Sequence, residues 1–510
     1  MTLLDKKNLV IDLGFINSIA SRRQLSLVVF GFAWLIVFAA YCYQGITPAF
    51  NADDIMTMQN PDDAWTTVIQ GRWGFYLIFG VLLDSNYLPL LSTVLGSLMI
   101  CSSSLLVANI LEFELAASRF AFIVLGSVSV YYGDLFSFDA TRLAFPLGNL
   151  IAVFGLYCVI RRRWVAGIVL TALAPSFYPA AFELAATVLV AFALRRTIDT
   201  TRGGPVTALP PAACLLASLV LYGLATKALY RALGLSLDPA RAKLDFLAAL
   251  HRFHDIAELF TVHSVPVLAP RAEWYLPTPI TLSVTALGVG FLAYSMVAAY
   301  RHAGVAGVVV AAVLNVGFIM APYLLIFVSG GSNTQFAPRS LYAFCTVHAV
   351  WGVTLLEWSA STAQRSFAAR VATIVSALLL GIIAFENAIV INKKALYDYL
   401  ASQSDLLATN RIITRIETLL AETPNAPTGD IPIAVIYDRP TLAGPRGNVE
   451  TSRWTPWSRE WIFHLVDRHF HRVGPGGYQK FRQAAQSHSE WPGKDSVFLR
   501  DGVVVVVITK

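Results

Sequence analysis

Apolar and polar stretches alternate along this chain on a scale too long for a soluble fold. Charge-free runs of roughly 17 to 25 residues recur, each long enough as a helix to cross a hydrocarbon layer of about 30 Å. They predict spans near residues 25–43, 87–110, 117–132, 143–160, 163–176, 180–194, 212–229, 278–300, 304–328, 340–357 and 370–391, a mostly α polytopic protein of about 11 transmembrane helices. The first run, Leu25 to Tyr43, lacks a small-residue cleavage pattern and is followed by many more, which predicts a retained helix rather than a signal peptide.

The polar intervals then acquire sides. With residues 1–24 in the cytoplasm, the inner loops carry Lys6, Lys7, Arg22 and Arg23, then Arg119, Arg161 to Arg163, Arg195, Arg196 and Arg202, Arg301, and Arg365 with Arg370. Every inner loop is basic, as the positive-inside rule requires. The same parity puts residues 44–86, 133–142, 230–277 and 329–339 on the outer face, together with the tail from 392. Within them, Phe75 to Leu83 and Leu244 to Phe260 have the spacing of helices lying in the interface.

The tail differs in character. Residues 392–422 predict a polar amphipathic helix, with Asn392, Lys393, Tyr397, Asp398, Arg411, Arg415 and Glu417, ended by Pro424 and Pro427. Ile431 to Tyr437 and Val503 to Ile508 are β-branched runs typical of buried strands. The division expected is 1–24 cytoplasmic, 25–391 transmembrane and 392–510 a small outer α/β domain that leans on the membrane domain because its own core is small.

Composition agrees with this picture: 56% of residues are hydrophobic and 14% charged, against about 25% charged in soluble domains. Cys42, Cys101, Cys158, Cys214 and Cys345 fall in apolar spans or at their ends, which argues against a disulfide framework or a thiolate metal site. No basic patch interleaved with aromatics points to nucleic acid. No glycine-rich phosphate loop or nucleotide fingerprint is present, which argues against a soluble nucleotide sugar as donor.

Candidate chemistry collects at the outer ends of the spans. Asp53 and Asp54 are adjacent beyond the first span; mutual repulsion raises one pKa and can yield a general base, while a solvated helix cap is the plain alternative. Arg72, between Gly71 and Trp73-Gly74, is placed for a phosphate oxygen or for headgroup anchoring. Asp139 and Arg142 share an outer loop, where they form either a salt bridge or part of a donor site. Arg339, in Ala337-Pro338-Arg339-Ser340, starts a helix at a depth where an unpartnered charge is costly and so should face a cavity. Tyr178 lies in the short turn Ser176-Phe177-Tyr178-Pro179, an outer depression or an ordinary interfacial tyrosine, and Glu183 follows as a cavity-facing or helix N-terminal acid. His251 and His254 share a helix face without a third ligand, which favours interfacial packing over zinc.

Taken together, Asp53-Asp54, Gly71-Arg72-Trp73, Ser176-Phe177-Tyr178, Pro338-Arg339-Ser340 and the Asn392-to-Tyr397 exit resemble the GtrII-type serotype-converting glucosyltransferases of bacterial inner membranes. The resemblance implies a GT-C architecture, a polyprenyl-phosphate-linked glucose donor, such as undecaprenyl phosphate glucose, and transfer to O-antigen of lipopolysaccharide on the periplasmic side. By position it makes Asp53 or Asp54 the general base and sets Arg72 and Arg339 on the donor phosphate. Where the family's turn often continues with Gln, this chain has Pro179.

The expectation is therefore an inverting hexosyltransferase whose partners are a polyprenyl-phosphate sugar, a polysaccharide acceptor and membrane lipids. Asp53 and Asp54 would be catalytic, Arg72, Arg142 and Arg339 would bind the donor, and Trp73, Asp139 and Tyr178 would line the pocket. No cofactor is implied; the acidic pair leaves a divalent cation open. A lipid-linked sugar flippase predicts ionisable residues deep within the spans and an internal repeat. A polysaccharide polymerase or ligase shares the many spans and large outer loops.

Overall fold

A segment in lipid must satisfy its own backbone hydrogen bonds, so runs of apolar residues become helices. The structure, a computed structural model, describes residues 27–47, 49, 51–59, 63–199, 204–236, 277–325, 338–362, 366–424, 426–427, 429–437, 459–473 and 475–509. The expectations for residues 1–24, for Leu244 to Phe260, for His251 and His254 and for 329–337 lie outside the described residues.

The helices are α1 (Leu27–Ile46), α2 (Ala52–Gln59), α3 (Asp63–Ile69), α4 (Trp73–Leu82), α5 (Pro89–Ile110), α6 (Ala116–Ser127), α7 (Val130–Leu135), α8 (Thr141–Ile160), α9 (Trp164–Leu173), α10 (Ala180–Ile198), α11 (Leu209–Leu233), α12 (Thr278–Met320), α13 (Ala343–Thr362) and α14 (Phe367–Glu422). Among the described residues, six helical stretches are long and apolar enough to cross a membrane, those containing α1, α5, α8, α11, α12 and α14. Helices also occupy the other predicted segments, some of them short. Apolar side chains such as Leu27, Phe32, Leu216, Leu224, Ile374 and Phe385 lie exposed on the outer helices, a surface that lipid would cover. By contrast α8, α10 and α13 bury most of their residues in one continuous apolar core.

Three local departures from helix geometry matter. The segment predicted as a span over 117–132 breaks at Val128–Ser129; the Tyr41 hydroxyl donates to the Ser127 carbonyl at 2.6 Å and Asn387 Oδ1 accepts from Val130 N at 3.1 Å, which replaces lost helical bonds. Within α12, Ala303 and Gly304 leave the helical region, and Asn315 Nδ2 reaches back to Ser295 Oγ at 3.1 Å, so α12 is a hairpin of two arms. Finally, the last span and the predicted amphipathic helix are one 56-residue helix, α14. No proline interrupts it, so it extends about 84 Å, far beyond a hydrocarbon thickness of about 30 Å.

The chain ends in β1 (Ile431–Tyr437), α15 (Arg459–Val466), β2 (Phe470–Arg472), α16 (Pro475–Ala485), β3 (Val497–Arg500) and β4 (Val503–Thr509). The sheet order is β2-β1-β4-β3, with β1 parallel to both neighbours and β3 antiparallel to β4. Alternation along the strands sends Ile433, Val435, Val504 and Val506 to one face, against Ile412, Ile413 and Ile416 of α14 and Ile462 and Phe463 of α15. Ala434, Ile436, Val505 and Val507 meet Phe481 and Ala485 of α16 on the other. The small sheet thus uses the end of α14 as a wall of its core.

Candidate functional site

The sequence Asn51-Ala52-Asp53-Asp54 starts α2. Asn51 Oδ1 accepts from the amides of Asp53 and Asp54 at 2.9 and 3.0 Å, an N-cap, and the two acids sit in the first turn where the helix dipole favours them. The neighbours then part company. Asp53 is exposed, whereas Asp54 is 1% exposed and accepts from the amides of Asn51 at 3.3 Å, Asp139 at 3.2 Å and Ala140 at 3.3 Å. Asn51 Nδ2 donates to the Ser137 carbonyl at 3.0 Å and Tyr87 donates its hydroxyl proton to the Asp54 carbonyl at 3.1 Å. The start of α2 is thereby fastened to the turn between α7 and α8.

Inside that turn Asp139 and Arg142 form a buried ion pair at i,i+3 spacing, and Arg142 Nε also donates to the Phe136 carbonyl at 2.6 Å. Arg142, expected on the donor phosphate, is 1% exposed; the pair is internal because α5 closes over it, with Gly96 so near the Arg142 carbonyl that a Cβ there would collide. Two buried carboxyls lie in the field of a single guanidinium, which pairs directly with Asp139 and acts on Asp54 through its charge alone, so the cluster is neutral only when one carboxyl keeps its proton. Burial, reinforced by the charge of Asp139, pushes the Asp54 carboxyl up to about 8, while the amides and Arg142 pull against the rise. Burial raises Asp139 too, and the adjacent Arg142 offsets part of that.

A second charged group adjoins the same turn. Arg339 lies 3.8 Å from Asp134, donates its backbone amide to that carboxylate at 3.2 Å and stacks over the Phe138 ring at 4.0 Å. From α14, Lys394 reaches Asp134 at 3.7 Å, Asp398 at 2.8 Å and Ser137 Oγ at 2.7 Å. The cavity-facing place expected for Arg339 is thus a cluster of two cations and two carboxylates.

Arg72 approaches from the other flank. It precedes α4, and its guanidinium lies 5.2 Å from the centre of the Tyr178 ring, which also stacks on Phe145 of α8, ring centres 3.9 Å apart. Gly71 permits the turn into α4: it has φ of +83°, and a Cβ would come within 2.8 Å of the Tyr222 hydroxyl. Trp73 Nε1 donates to Thr226 Oγ1 at 3.3 Å, which ties α4 to α11. Tyr178 is buried and neighbours Tyr342, ring centres 6.5 Å apart; Tyr342 donates to Asn149 Oδ1 at 2.5 Å. Glu183 accepts from the Leu325 amide at 2.6 Å, a buried structural contact.

The fold therefore fastens Asp54 to the backbone of the turn that carries the Asp139–Arg142 pair, sets Arg339 on the same turn, and reaches Arg72 and Tyr178 through Phe145. Trp73 is directed toward α11 and Asp53 toward the surface. Among the residues that complete this region, Asp134, Ser137 and Lys394 are absent from the sequence-based set. The i,i+4 spacing of Lys394 and Asp398 was the available signal; nothing in the sequence signals that both meet Asp134. Among the described residues, no three or more His, Cys, Asp and Glu side chains are grouped so as to hold a metal ion. Chemically, the region offers a solvent-facing carboxylate, partly exposed guanidinium groups and an ammonium group.

Comparison with curated proteins and with solved structures gives no match. A family model does match, over residues 42–350, from the end of α1 through the first part of α13. That stretch contains both acids, Arg72, the Asp139–Arg142 turn, Tyr178 and Arg339, and it is more than half of the chain: the protein belongs to the glucosyl transferase GtrII family.

Proposed function

We propose that the protein is an inverting glycosyltransferase of GT-C architecture that moves a hexose, glucose, from a polyprenyl phosphate to a periplasmic or surface polysaccharide such as O-antigen. In this reading about eleven segments cross the bacterial inner membrane, the N-terminus is cytoplasmic, and residues 392–510 form a periplasmic domain. Family membership supports a glycosyltransferase. The single observation that carries the mechanism is that Asp54, Arg339 and Lys394 meet on residues 134–140, with the exposed Asp53 next to Asp54 and with Arg72 over Tyr178, which stacks on Phe145 just beyond.

The chemistry requires three things: removal of a proton from an acceptor hydroxyl, attack of that oxygen on the anomeric carbon, and departure of the prenyl phosphate with the bonding pair. Phosphate is already a good leaving group, so orientation and charge neutralisation supply most of the acceleration. Of the adjacent acids, Asp53 suits the base. It is exposed, whereas Asp54 is sealed by three amides and holds its proton at neutral pH. Arg72, beside the Tyr178 ring, and Arg339, stacked on Phe138, suit the donor phosphate.

The test compares surface polysaccharide composition and linkage in cells carrying the parent protein, no protein, or Asp53→Asn. Loss of the side-branch hexose in the last two, with the unmodified polymer intact, is expected. Unaltered modification in Asp53→Asn cells would remove Asp53 from the base role, and shortened chains would indicate a polymerase.

A further inference from the structure

Asp53, Asp54 and Ile55 are consecutive, so their side chains leave the α2 axis about 100° apart. Each meets a different environment. Asp54 enters the membrane domain, where it accepts from the amides of Asp139 and Ala140. Ile55, 1% exposed, enters the apolar core of the C-terminal domain with Ile412, Ile413, Ile416, Ile462 and Phe463. Asp53 occupies the remaining, exposed arc.

An eight-residue helix has little stability of its own, so these contacts determine where α2 sits. The hydrogen bonds of Asn51, Asp54 and Tyr87 hold the first turn of α2 on the membrane domain; Ile55 supplies the second anchor, on the C-terminal domain. Packing of α15 directly on α2 adds to that second anchor. Both α14 and α15 lie beyond residue 350, where the family match ends.

We propose that the C-terminal domain is a working part of the active centre, and that Ile55, seated in its core, is the positioning residue that aims the Asp53 carboxylate. The inference rests on Asp53 being the base. It makes the domain responsible for the turnover rate and leaves donor affinity to the membrane domain, where Arg72 lies.

The full-length protein in native membranes, a short-chain prenyl phosphate glucose and purified unmodified polysaccharide form the assay. Ile55→Ala should lower kcat by about 100-fold and Ile55→Val by about fivefold, with donor KM unchanged within about twofold, since misplacement by about 1 Å can cost that much. Phe481→Ala, which trims the core on the opposite face of the sheet from Ile55, should keep kcat within about threefold of the parent. Equal kcat losses in Ile55→Ala and Phe481→Ala overturn the proposal, as does parental kcat in Ile55→Ala. If Ile55→Ala does not accumulate folded, Ile55→Val decides alone, and parental kcat there overturns it. Asp53→Asn separates the two readings: an active Asp53→Asn removes the base assignment and this inference with it, whereas inactive Asp53→Asn beside active Ile55→Ala removes only the positioning role.

Discussion

Because the charges of Asp54 and Asp139 both act on one buried guanidinium, removing them one at a time and together should give strongly non-additive losses. At pH 7 Asp54 keeps its proton, so Asp54→Asn leaves the charge balance unchanged and loses only acceptor geometry toward the amides of Asn51, Asp139 and Ala140, a cost of about 1 kcal/mol. Asp139→Asn removes the direct partner of Arg142, yet it also removes the charge that adds to burial in holding the Asp54 proton in place and leaves Arg142 to draw that proton off. Asp54 then ionises and compensates, so the loss is about 2 kcal/mol rather than the roughly 3–5 kcal/mol of an orphaned buried charge. The double variant has no carboxylate left beside Arg142 and suffers the full penalty, about 5 kcal/mol. The coupling energy is therefore unfavourable by about 2 kcal/mol. Equilibrium unfolding in mixed micelles at constant pH, followed by tryptophan fluorescence, measures all four proteins. Additivity within about 0.5 kcal/mol would refute the shared-guanidinium account, and so would a loss in Asp139→Asn as large as in the double variant.

The same cluster predicts a pH dependence. Asp54 is raised from 3.8 to about 8, so the folded state holds a proton that the unfolded chain has released; the stabilising effect is complete below the ordinary value and disappears as pH rises toward 8, at up to about 1.4 kcal/mol per pH unit. Melting midpoints between pH 5 and 8 should fall for the parent and flatten for Asp54→Asn. Arg72→Ala should raise donor KM about tenfold or more in the membrane assay, since it removes a charge-assisted phosphate contact of about 1.5–3 kcal/mol; an unchanged KM would leave Arg72 as an anchor only. Gly71→Val combines a φ of +83° with a clash on the Tyr222 hydroxyl and should cost about 2–3 kcal/mol of stability, read as a lower melting midpoint.

Hydropathy alone placed helices over most of the chain, because a lipid-borne helix closes its hydrogen bonds within itself and needs no information from distant residues. The strands at Ile431–Tyr437 and Val503–Thr509 were legible for a related reason: β-branched runs suit a buried sheet whatever their partners. Short motifs between the apolar runs pointed to the family that the match over residues 42–350 shows. The tertiary structure decided the rest of the candidate site. Adjacent Asp53 and Asp54 are chemically alike in sequence, and only a turn 85 residues away makes one of them buried and proton-holding. Arg142 and Arg339 both looked available to phosphate, yet packing by α5 encloses the first while the second stays partly exposed beside Phe138. Ile55 carried no signal at all, since its partners lie on α14 and in the C-terminal sheet domain. Burial and ion pairing depend on which surfaces meet, and the meeting of distant surfaces is not a local property of the chain.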